Sequence, residues 1–351
     1  MRCLVFFALI ACGFSLSCKG IPQPNTSAKK KKSSSGREIK ELGNSAAIIF
    51  QDSKNNMWFA SDGAVKYDGK ILTQFTTEDG LYSNRIRGFR EDQLGNIYFD
   101  TEEGVSKFDG EKIEKLVVST EKSEWKLKPN DLWFEGNWNN GGPLRYDGKK
   151  LHQLKLPKHE LEEEFYEINP KVEYNPYSVY KTYMDSKGNA WFGTSSFGAC
   201  RYDGTSFLWI SEREMTEIDD GPSPGVRSIL EDKNGDFWFT CNVNSKFKLI
   251  EKEVKTSYVK LEGIETSSTP GLNEYFMSMT QDNDGNYWMA RYNGGVWKYD
   301  GIVRTHYPIN EGKTEVQLFS IYKDNLGILW LGTHNAGLFK FNGKAFERFA
   351  L

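Results

Sequence analysis

Apolar and aromatic residues recur along this chain in short alternating runs that are separated by glycine-containing turns. The stretch from Met279 to Gly301 shows the pattern most fully: an alternating run leads into the turn Asp282–Gly285, an aromatic run follows at 286–290, and a third run at 296–299 precedes Asp300 and Gly301. Alternation with a period of two predicts β-strands, and Asp-Gly between apolar runs predicts a hairpin, because both central residues of a type I′ turn need positive φ. The stretch therefore predicts three antiparallel strands.

The same unit recurs along the chain. Copies lie at 52–69, 92–110, 185–204, 232–249, 282–301 and 324–343, and a seventh copy at 129–148 has lost its first turn. One more short apolar run after the glycine turn supplies a fourth strand. The spacing of roughly 45 residues is close to that of a four-stranded propeller blade. The pattern predicts an all-β fold, a seven-bladed β-propeller of four-stranded antiparallel blades that spans residues 44–351.

Three local departures from the repeat carry predictions of their own. An acidic, helix-prone segment is inserted at about 158–176, after the third copy. The fifth copy has Leu249–Val254 where the others have Asp-Gly, which predicts a longer or irregular outer hairpin. The first and last repeats each contain all four strand runs, so we expect the terminal blades to meet without a strand donated from the other terminus.

Two segments resemble the repeats of the two-component regulator propeller family. They are Thr76–Arg87, followed by Glu91, Asp92 and Gly95, and Leu329–Gly343. The resemblance covers the chain from about Ala46 onward. Propellers of this family often form the periplasmic sensor part of hybrid histidine kinases, and those of glycan-using bacteria respond to oligosaccharides. The resemblance therefore implies a ligand-sensing propeller. A single propeller with no sandwich domain, transmembrane helix or kinase departs from that pattern and predicts a binding module by itself.

The N-terminal segment predicts export and a lipid anchor. Arg2 precedes an apolar run at 4–11 that is too short to span a bilayer. Cys18, after the longer apolar region, is the preferred lipidated residue of a bacterial lipoprotein, and Cys12, which matches the lipobox pattern better, is the alternative. An ordinary cleaved signal peptide is the third interpretation. Residues 1–18 are thus predicted as a lipoprotein signal peptide and residues 19–43 as a disordered tether.

These predictions place the protein in the bacterial cell envelope, at the outer membrane or facing the periplasm, and held to the membrane by lipid alone. The chain has 351 residues, of which 38% are hydrophobic and 14% aromatic, which suits one large propeller. Its formal net charge of −3 gives no strong field for nucleic acid or for an anionic membrane surface.

Neither a metal nor a cofactor is predicted. The Asp-x-x-Gly turns resemble calcium loops only in part, because they lack a late bidentate Glu, and Asp at such corners caps its own backbone. Cys200 and Cys241 are the cysteines beyond the signal segment, and their different strand positions predict two buried thiols rather than a disulfide.

The candidate chemistry lies at one face of the predicted ring, where the loops between second and third strands and the links between blades emerge. These segments vary most between repeats and mix aromatic residues, Asn and Arg, a combination that stacks on an apolar face and hydrogen-bonds polar edges. The predicted ligand-binding residues on this central face are Trp138, Asn139, Phe197, Arg227, Tyr275, Arg291, Tyr292, His334 and Asn335.

Two functions from different classes fit this face. The first is a sensor-like module that binds a glycan fragment or a small solute. The alternative is a protein-interaction scaffold that docks an envelope partner through the same face or through the insertion. A propeller lyase is the less favoured third interpretation, because it would need histidines and acidic ligands converging on the channel from several blades. Of the 4 histidines, only His334 lies at this face. No catalytic residue is predicted.

Overall fold

The repeats fold into seven antiparallel sheets, which form the blades of a closed ring. This computed structural model describes residues 36–350 except 138–140, 213–214, 217–224, 242–243, 253–255, 265–275 and 313. Within each repeat, strands that follow one another in the sequence are also neighbours in the sheet, and the first strand of the repeat is the innermost. The predicted seven-bladed propeller is confirmed.

Blade one contains β1 (Arg37–Ile39), β2 (Ile48–Gln51), β3 (Met57–Ser61), β4 (Gly63–Tyr67) and β5 (Leu72–Phe75). Blade two contains β6 (Ile86–Glu91), β7 (Ile97–Thr101), β8 (Val105–Phe108) and β9 (Ile113–Lys115). Blade three contains β10 (Leu132–Phe134), β11 (Leu144–Tyr146) and β12 (Leu151–Gln153). The insertion carries helix α1 (Glu162–Ile168). Blades four and five contain β13 (Val179–Met184), β14 (Ala190–Thr194), β15 (Ala199–Tyr202) and β16 (Phe207–Ile210), then β17 (Ser228–Glu231), β18 (Phe237–Thr240), β19 (Asn244–Ile250) and β20 (Ser257–Leu261).

The strands of blades six and seven are β21 (Phe276–Gln281), β22 (Tyr287–Arg291), β23 (Val296–Tyr299) and β24 (Arg304–Tyr307), then β27 (Leu318–Lys323), β28 (Leu329–Thr333), β29 (Leu338–Phe341) and β30 (Phe346–Arg348), with the small hairpin β25 (Asn310–Glu311) and β26 (Thr314–Glu315) between them. The outer connection of blade five, residues 251–256, is longer than that of blade four, residues 203–206, as the missing Asp-Gly predicts.

Two blades depart from four strands. In blade three the described residues form three strands, β10 to β12, and the innermost strand of the repeat is missing. In blade one the N-terminal strand β1 pairs antiparallel with the outer strand β5, with Arg37 opposite Gln74. The predicted end of the tether at residue 43 is therefore wrong for residues 37–39. The exposed edge of β5 offers backbone hydrogen bonds to any extended segment beside it, and even a short polar run can use them.

The turn between the first and second strands of a blade is built around one aspartate. Asp185 Oδ1 accepts hydrogen bonds from Lys187 N (3.0 Å) and Asn189 N (2.8 Å), and its Oδ2 accepts one from Trp191 Nε1 (2.9 Å). The corresponding aspartates Asp52, Asp232, Asp282 and Asp324 bind the indole N–H of Trp58, Trp238, Trp288 and Trp330. These carboxylates join the turn to the aromatic core, which supports the structural interpretation of the motif.

The blades pack through seven apolar clusters, one between each pair of successive blades. The cluster between the last and first blades contains Phe59, Trp330 and Leu338. Beside it, Ala46 N donates to Thr333 O (3.0 Å) and Thr333 N donates to Ala46 O (3.1 Å). Each terminal blade is built from its own repeat, so the prediction of closure without a donated strand is confirmed.

The insertion packs on blade four, over the loop that carries Phe197. Helix α1 fits the predicted helix-prone segment, and its Phe165 is fully buried against Phe197 at a ring-centroid distance of 5.3 Å. His159 stacks on the other side of Phe197 at 4.7 Å, and burial lowers the pKa of His159 to about 4.

Cys200 and Cys241 are both buried thiols, as predicted. In the described part of the chain, no helix combines the length and apolar character needed to cross a bilayer.

Candidate functional site

A cavity of ≈ 590 Å³ lies where the innermost strands of the blades converge, and it is called the central cavity below. Its wall comes from β2, β6, β13, β17, β21 and β27, from Ser61 at the end of β3, and from the loops that carry Glu102 and His334. Inner strands of a propeller run side by side around the axis, so equivalent positions of successive blades lie next to one another on the wall of the cavity. The candidate site is therefore a ring of equivalent residues.

One position of this ring is a serine in three successive blades: Ser228, Ser278 and Ser320 pair with Thr240, Ala290 and Gly332 on the second strands. Ser320 Oγ donates to Ala47 O of blade one at 2.6 Å, and Ser278 Oγ donates to Ile321 O of blade seven at 3.4 Å. Ser228 Oγ accepts a hydrogen bond from Met279 N of blade six at 3.3 Å. The serines thus join neighbouring inner strands while keeping the wall polar and narrow.

The position just before these serines on the inner strands carries larger side chains. Two of them, Tyr180 and Arg227, form a pair. Tyr180 of blade four lies under Arg227 of blade five, with the guanidinium carbon 4.6 Å from the ring centroid. Such a cation–π contact holds the arginine in place on the aromatic face. Phe319 occupies this position in blade seven, also on the cavity wall.

His334 stands above Phe319, with ring centroids 4.8 Å apart, and Tyr292 lies 5.8 Å away on another side. Burial and the positive charge of Arg227 lower the pKa of His334. Both causes disfavour the charged imidazolium, so His334 is neutral at physiological pH.

Two arginines of β6 compensate for the missing inner strand of blade three. Without that strand, the carbonyl groups on the inner edge of β10 have no ladder partner, and a buried carbonyl without a donor is destabilising. Arg90 Nε donates to Trp133 O at 3.1 Å. Arg87 donates to Gly136 O and, at 2.9 Å, to Val179 O of blade four. The two side chains therefore connect blade two to blade four across the gap.

Glu135 accepts hydrogen bonds from residues on both sides of the gap left by the missing strand. Its Oε1 accepts hydrogen bonds from Arg90 Nη2 (3.1 Å) and Thr182 N (3.2 Å), and its backbone N donates to Asp100 Oδ2 (2.7 Å). Arg87, Arg90, Asp100, Glu135 and Thr182 are called the blade-three cluster below. Among the described residues, Asp100 Oδ1 and Glu135 Oε2 are buried without a hydrogen-bond partner.

One proton between Asp100 Oδ1 and Glu135 Oε2 gives both oxygens a hydrogen-bond partner. Burial and the neighbouring Glu135 raise the pKa of Asp100 well above its usual value. Burial acts on Glu135 in the same direction, but Arg90 and the hydrogen bond from Asp100 outweigh it and lower the pKa of Glu135. Asp100 therefore holds the proton and donates it to the ionised Glu135, because two adjacent buried carboxylates cannot both carry charge.

The predicted site residues fall into three groups. Arg227 and His334 lie on the wall of the central cavity, and Tyr292 packs beside His334. Arg291 and Asn335 are near that rim but do not line the cavity, and Asn335 Oδ1 accepts a hydrogen bond from Gln317 N at 3.1 Å. Trp138, Asn139 and Tyr275 lie outside the described residues.

Phe197 requires a correction. It is 0% exposed and packs among His159, Phe165 and Tyr177, so it belongs to the core that the insertion covers and cannot contact a ligand on the central face. Its loop position resembles that of the rim residues in other blades, but the inserted segment folds over it.

Sequence reasoning did not single out Tyr180, Lys181, Glu135 and Phe319, which line the central cavity. A signal for three of them is present: Tyr180, Lys181 and Phe319 occupy the positions of inner strands at which other blades carry Arg227 and serine. Aligning the first strands of the repeats, rather than the loops after the second, would have found them. No group of three or more His, Cys, Asp and Glu side chains suited to hold a metal ion occurs in the part of the chain that the structure describes.

Comparison with known proteins agrees with the fold. No protein-family model matches the sequence, and neither does any curated protein. The structure is similar to the extracellular domain of BT4673 from B. thetaiotaomicron, described as a hybrid two-component system, with a TM-score of 0.58, 19% identity, and 86% of this chain and 39% of that chain covered. The chain thus spans well under half the length of that domain.

Two further solved structures share the fold. Virginiamycin B lyase from Staphylococcus aureus has a TM-score of 0.60 and 14% identity over 87% of this chain and 97% of that chain. PorZ, a surface component of the type-IX secretion system of Porphyromonas gingivalis, has a TM-score of 0.52 and 15% identity over 85% of this chain and 46% of that chain. At these identities the likeness shows the fold alone. The predicted resemblance to the propellers of two-component regulators is confirmed at that level.

Proposed function

We propose that this protein is an extracytoplasmic, sensor-like propeller whose central cavity binds a small ligand, either a glycan fragment or another small solute. The observation that carries the proposal is the Arg227–Tyr180 pair on the wall of a cavity of ≈ 590 Å³. Small-molecule sites typically measure about 300–1,000 Å³ and combine aromatic surface with a few fixed polar groups. Size and composition of the central cavity both fit that description.

The cavity wall offers the two kinds of contact that a sugar needs. Tyr180 and Phe319 supply aromatic surface, against which the C–H face of a pyranose packs. Ser228 and Ser278 supply hydroxyl groups, and Arg227 supplies N–H donors, for the polar edge of the ring. The residues come from blades four to seven, so one ligand would touch several blades at once.

Binding is favoured over catalysis by the surroundings of His334, the histidine of the central cavity. A general base needs a group that orients it and stabilises its charged form. The ring of His334 contacts Phe319 and Tyr292, and within the described residues no side chain hydrogen-bonds to its nitrogens. The carboxylate of Glu135 is already engaged by Arg90 and Thr182. We therefore propose no lyase activity for this chain.

The alternative function, docking of an envelope protein, is favoured by one observation. The insertion carries three large side chains that are partly exposed: Tyr166 is 44% exposed, and Ile168 and Tyr174 are each 41% exposed. None of these three residues lines the central cavity, so the two functions are separable by substitution.

Tyr180→Ala is expected to weaken ligand binding about tenfold or more, because it removes the aromatic surface and the support of Arg227. The measurement is an oligosaccharide array with the purified full chain, followed by calorimetry with the ligands it selects. Tyr166→Ala should leave that affinity unchanged. The reverse pattern, with Tyr166→Ala abolishing capture of a partner and Tyr180→Ala without effect, would favour docking instead.

We further infer that the chain is anchored by lipid at Cys18, with Cys12 as the alternative; both lie outside the described residues. The order of basic residue, short apolar run and cysteine supports this inference. Mass spectrometry of the N-terminal peptide is expected to show Cys18 as the first residue, carrying a diacylglycerol thioether. An unmodified first residue, or a lipidated Cys12, would overturn the assignment.

A further inference from the structure

The central cavity is positively charged, although the whole chain has a formal net charge of −3. Four cationic side chains line it, Arg85, Arg87, Lys181 and Arg227, against the two carboxylates Glu102 and Glu135. Burial lowers the pKa of Lys181, but the three arginines alone outnumber the two carboxylates, so the formal charge of the wall is positive with His334 neutral. A cleft lined mainly by one sign of charge focuses the electric field and raises the local concentration of ligands of the opposite sign.

Both carboxylates are already matched by arginines. Glu102 Oε2 lies 3.2 Å from Arg85 Nη1, and Glu135 Oε1 lies 3.1 Å from Arg90 Nη2. Neither is therefore available to neutralise Arg227. Asp100, the remaining carboxylate of the blade-three cluster, does not line the cavity.

Arg227 is the cation best placed to meet a ligand. In the described part of the chain, no carboxylate lies within ion-pair distance of its guanidinium, whose contact is with the face of Tyr180. Stacking uses the flat face of a guanidinium and leaves its N–H edge free to donate. Its charge reaches into the cavity, since it contributes to lowering the pKa of His334. An oxyanion bound to Arg227 would neutralise a positive charge that no carboxylate of the described residues neutralises.

We propose that the ligand of the central cavity is an acidic oligosaccharide, whose carboxylate or sulfate group pairs with the N–H edge of Arg227 while a sugar face packs on Phe319. This inference rests on the proposed function and names its ligand class. Carboxylate and sulfate both present two oxygens at the spacing of the guanidinium fork, so the pair is bidentate and charge-assisted. A neutral sugar would leave Arg227 without a partner and would gain nothing from the positive field.

The test is an array of oligosaccharides in matched sets, each containing a neutral member, a uronate in which one CH₂OH is oxidised to a carboxylate, and a sulfate ester. The purified full chain is applied, and the members that bind are then titrated by calorimetry. We expect binding to be confined to the acidic members and to weaken as salt is raised from 20 to 500 mM. Hits among uronates or among sulfates decide which acid group is bound.

Variants then assign the contact. Arg227→Gln should weaken binding of the acidic hit about 30-fold, as for loss of a charge-assisted bidentate pair, and Arg227→Lys should restore part of it. Lys344→Gln, an exposed lysine on the outer turn of blade seven, removes the same charge far from the cavity and should change the affinity less than about twofold.

The outcomes separate the inference from the function on which it rests. Equal binding of neutral and acidic members, lost in Tyr180→Ala, would keep the proposed function and overturn the acidic ligand. Binding of acidic members that Arg227→Gln leaves intact would also overturn it. No binding to any member would overturn both the acidic oligosaccharide and the glycan form of the proposed function.

Discussion

We expect Glu135→Ala to lower the free energy of unfolding by about 3–5 kcal/mol. This is the largest loss of stability that we predict for a single substitution in this chain. Glu135 is 3% exposed and accepts hydrogen bonds from Arg90 and Thr182. Removing one partner of a buried ion pair leaves the other charge without compensation, which is costlier than the pair is stabilising. Urea unfolding followed by tryptophan fluorescence measures the change.

Asp100→Asn is the matched control for that experiment. The asparagine keeps an oxygen for Glu135 N and an N–H₂ group for the Glu135 carboxylate, so it mimics the protonated aspartic acid. Because the pKa of Asp100 is raised in the folded state, its ionisation opposes folding as pH rises above the unfolded value near 4. Asp100→Asn should therefore fold at least as stably as the wild type at pH 7, with an advantage that shrinks towards pH 4. A loss equal to that of Glu135→Ala would contradict the assignment of the proton.

Asp185→Ala is expected to lower the free energy of unfolding by about 3 kcal/mol. Asp185 is 6% exposed, and its carboxylate accepts hydrogen bonds from Lys187 N, Asn189 N and Trp191 Nε1. Alanine leaves the buried indole N–H of Trp191 without an acceptor. Each buried donor that loses its acceptor costs about 1–3 kcal/mol. Chemical unfolding gives the value.

Trp191→Phe isolates the bond between the turn and the core. It removes the indole N–H and keeps an aromatic ring, and Asn189 still occupies the carboxylate. The double variant Asp185→Ala, Trp191→Phe should be less destabilised than the sum of the single variants, because both remove the same hydrogen bond. Additive losses would mean that the aspartate only shapes its own turn.

Much of the fold is readable from the sequence because the repeat is dense in local signals. Asp185 and Trp191 stand six residues apart, and the same spacing joins Asp52 to Trp58 and Asp324 to Trp330. The hydrogen bond between them is made within one hairpin, so its sequence pattern is short. The loss of this turn before Trp133 correctly marked blade three as the irregular one.

The parts that escaped prediction depend on contacts far apart in the sequence. Arg90 reaches Glu135 and Thr182, which are 45 and 92 residues away, and nothing local marks an arginine as the substitute for a strand. Phe197 was misplaced because burial by α1 is decided by an insertion, not by the repeat. Strand β1 has three residues, too few to show alternation.

For the candidate site, the sequence singled out two residues that line the central cavity, Arg227 and His334, and left out the residues within the inner strands. Arg227 and His334 were found because they lie in a blade link and a loop, where variation between repeats is conspicuous. Tyr180 was missed because it lies in an inner strand, whose alternating residues look like ordinary sheet until the ring is closed and one side of that strand faces the axis.

The most direct test of the account is a crystal structure of the full chain with the highest-affinity oligosaccharide from the matched array. We predict electron density for the sugar in the central cavity, with an acid group at the Arg227 guanidinium and a ring against Phe319. Density at the insertion, on the outer edge of a blade, or in the cavity with Arg227 pointing away from the ligand would contradict it.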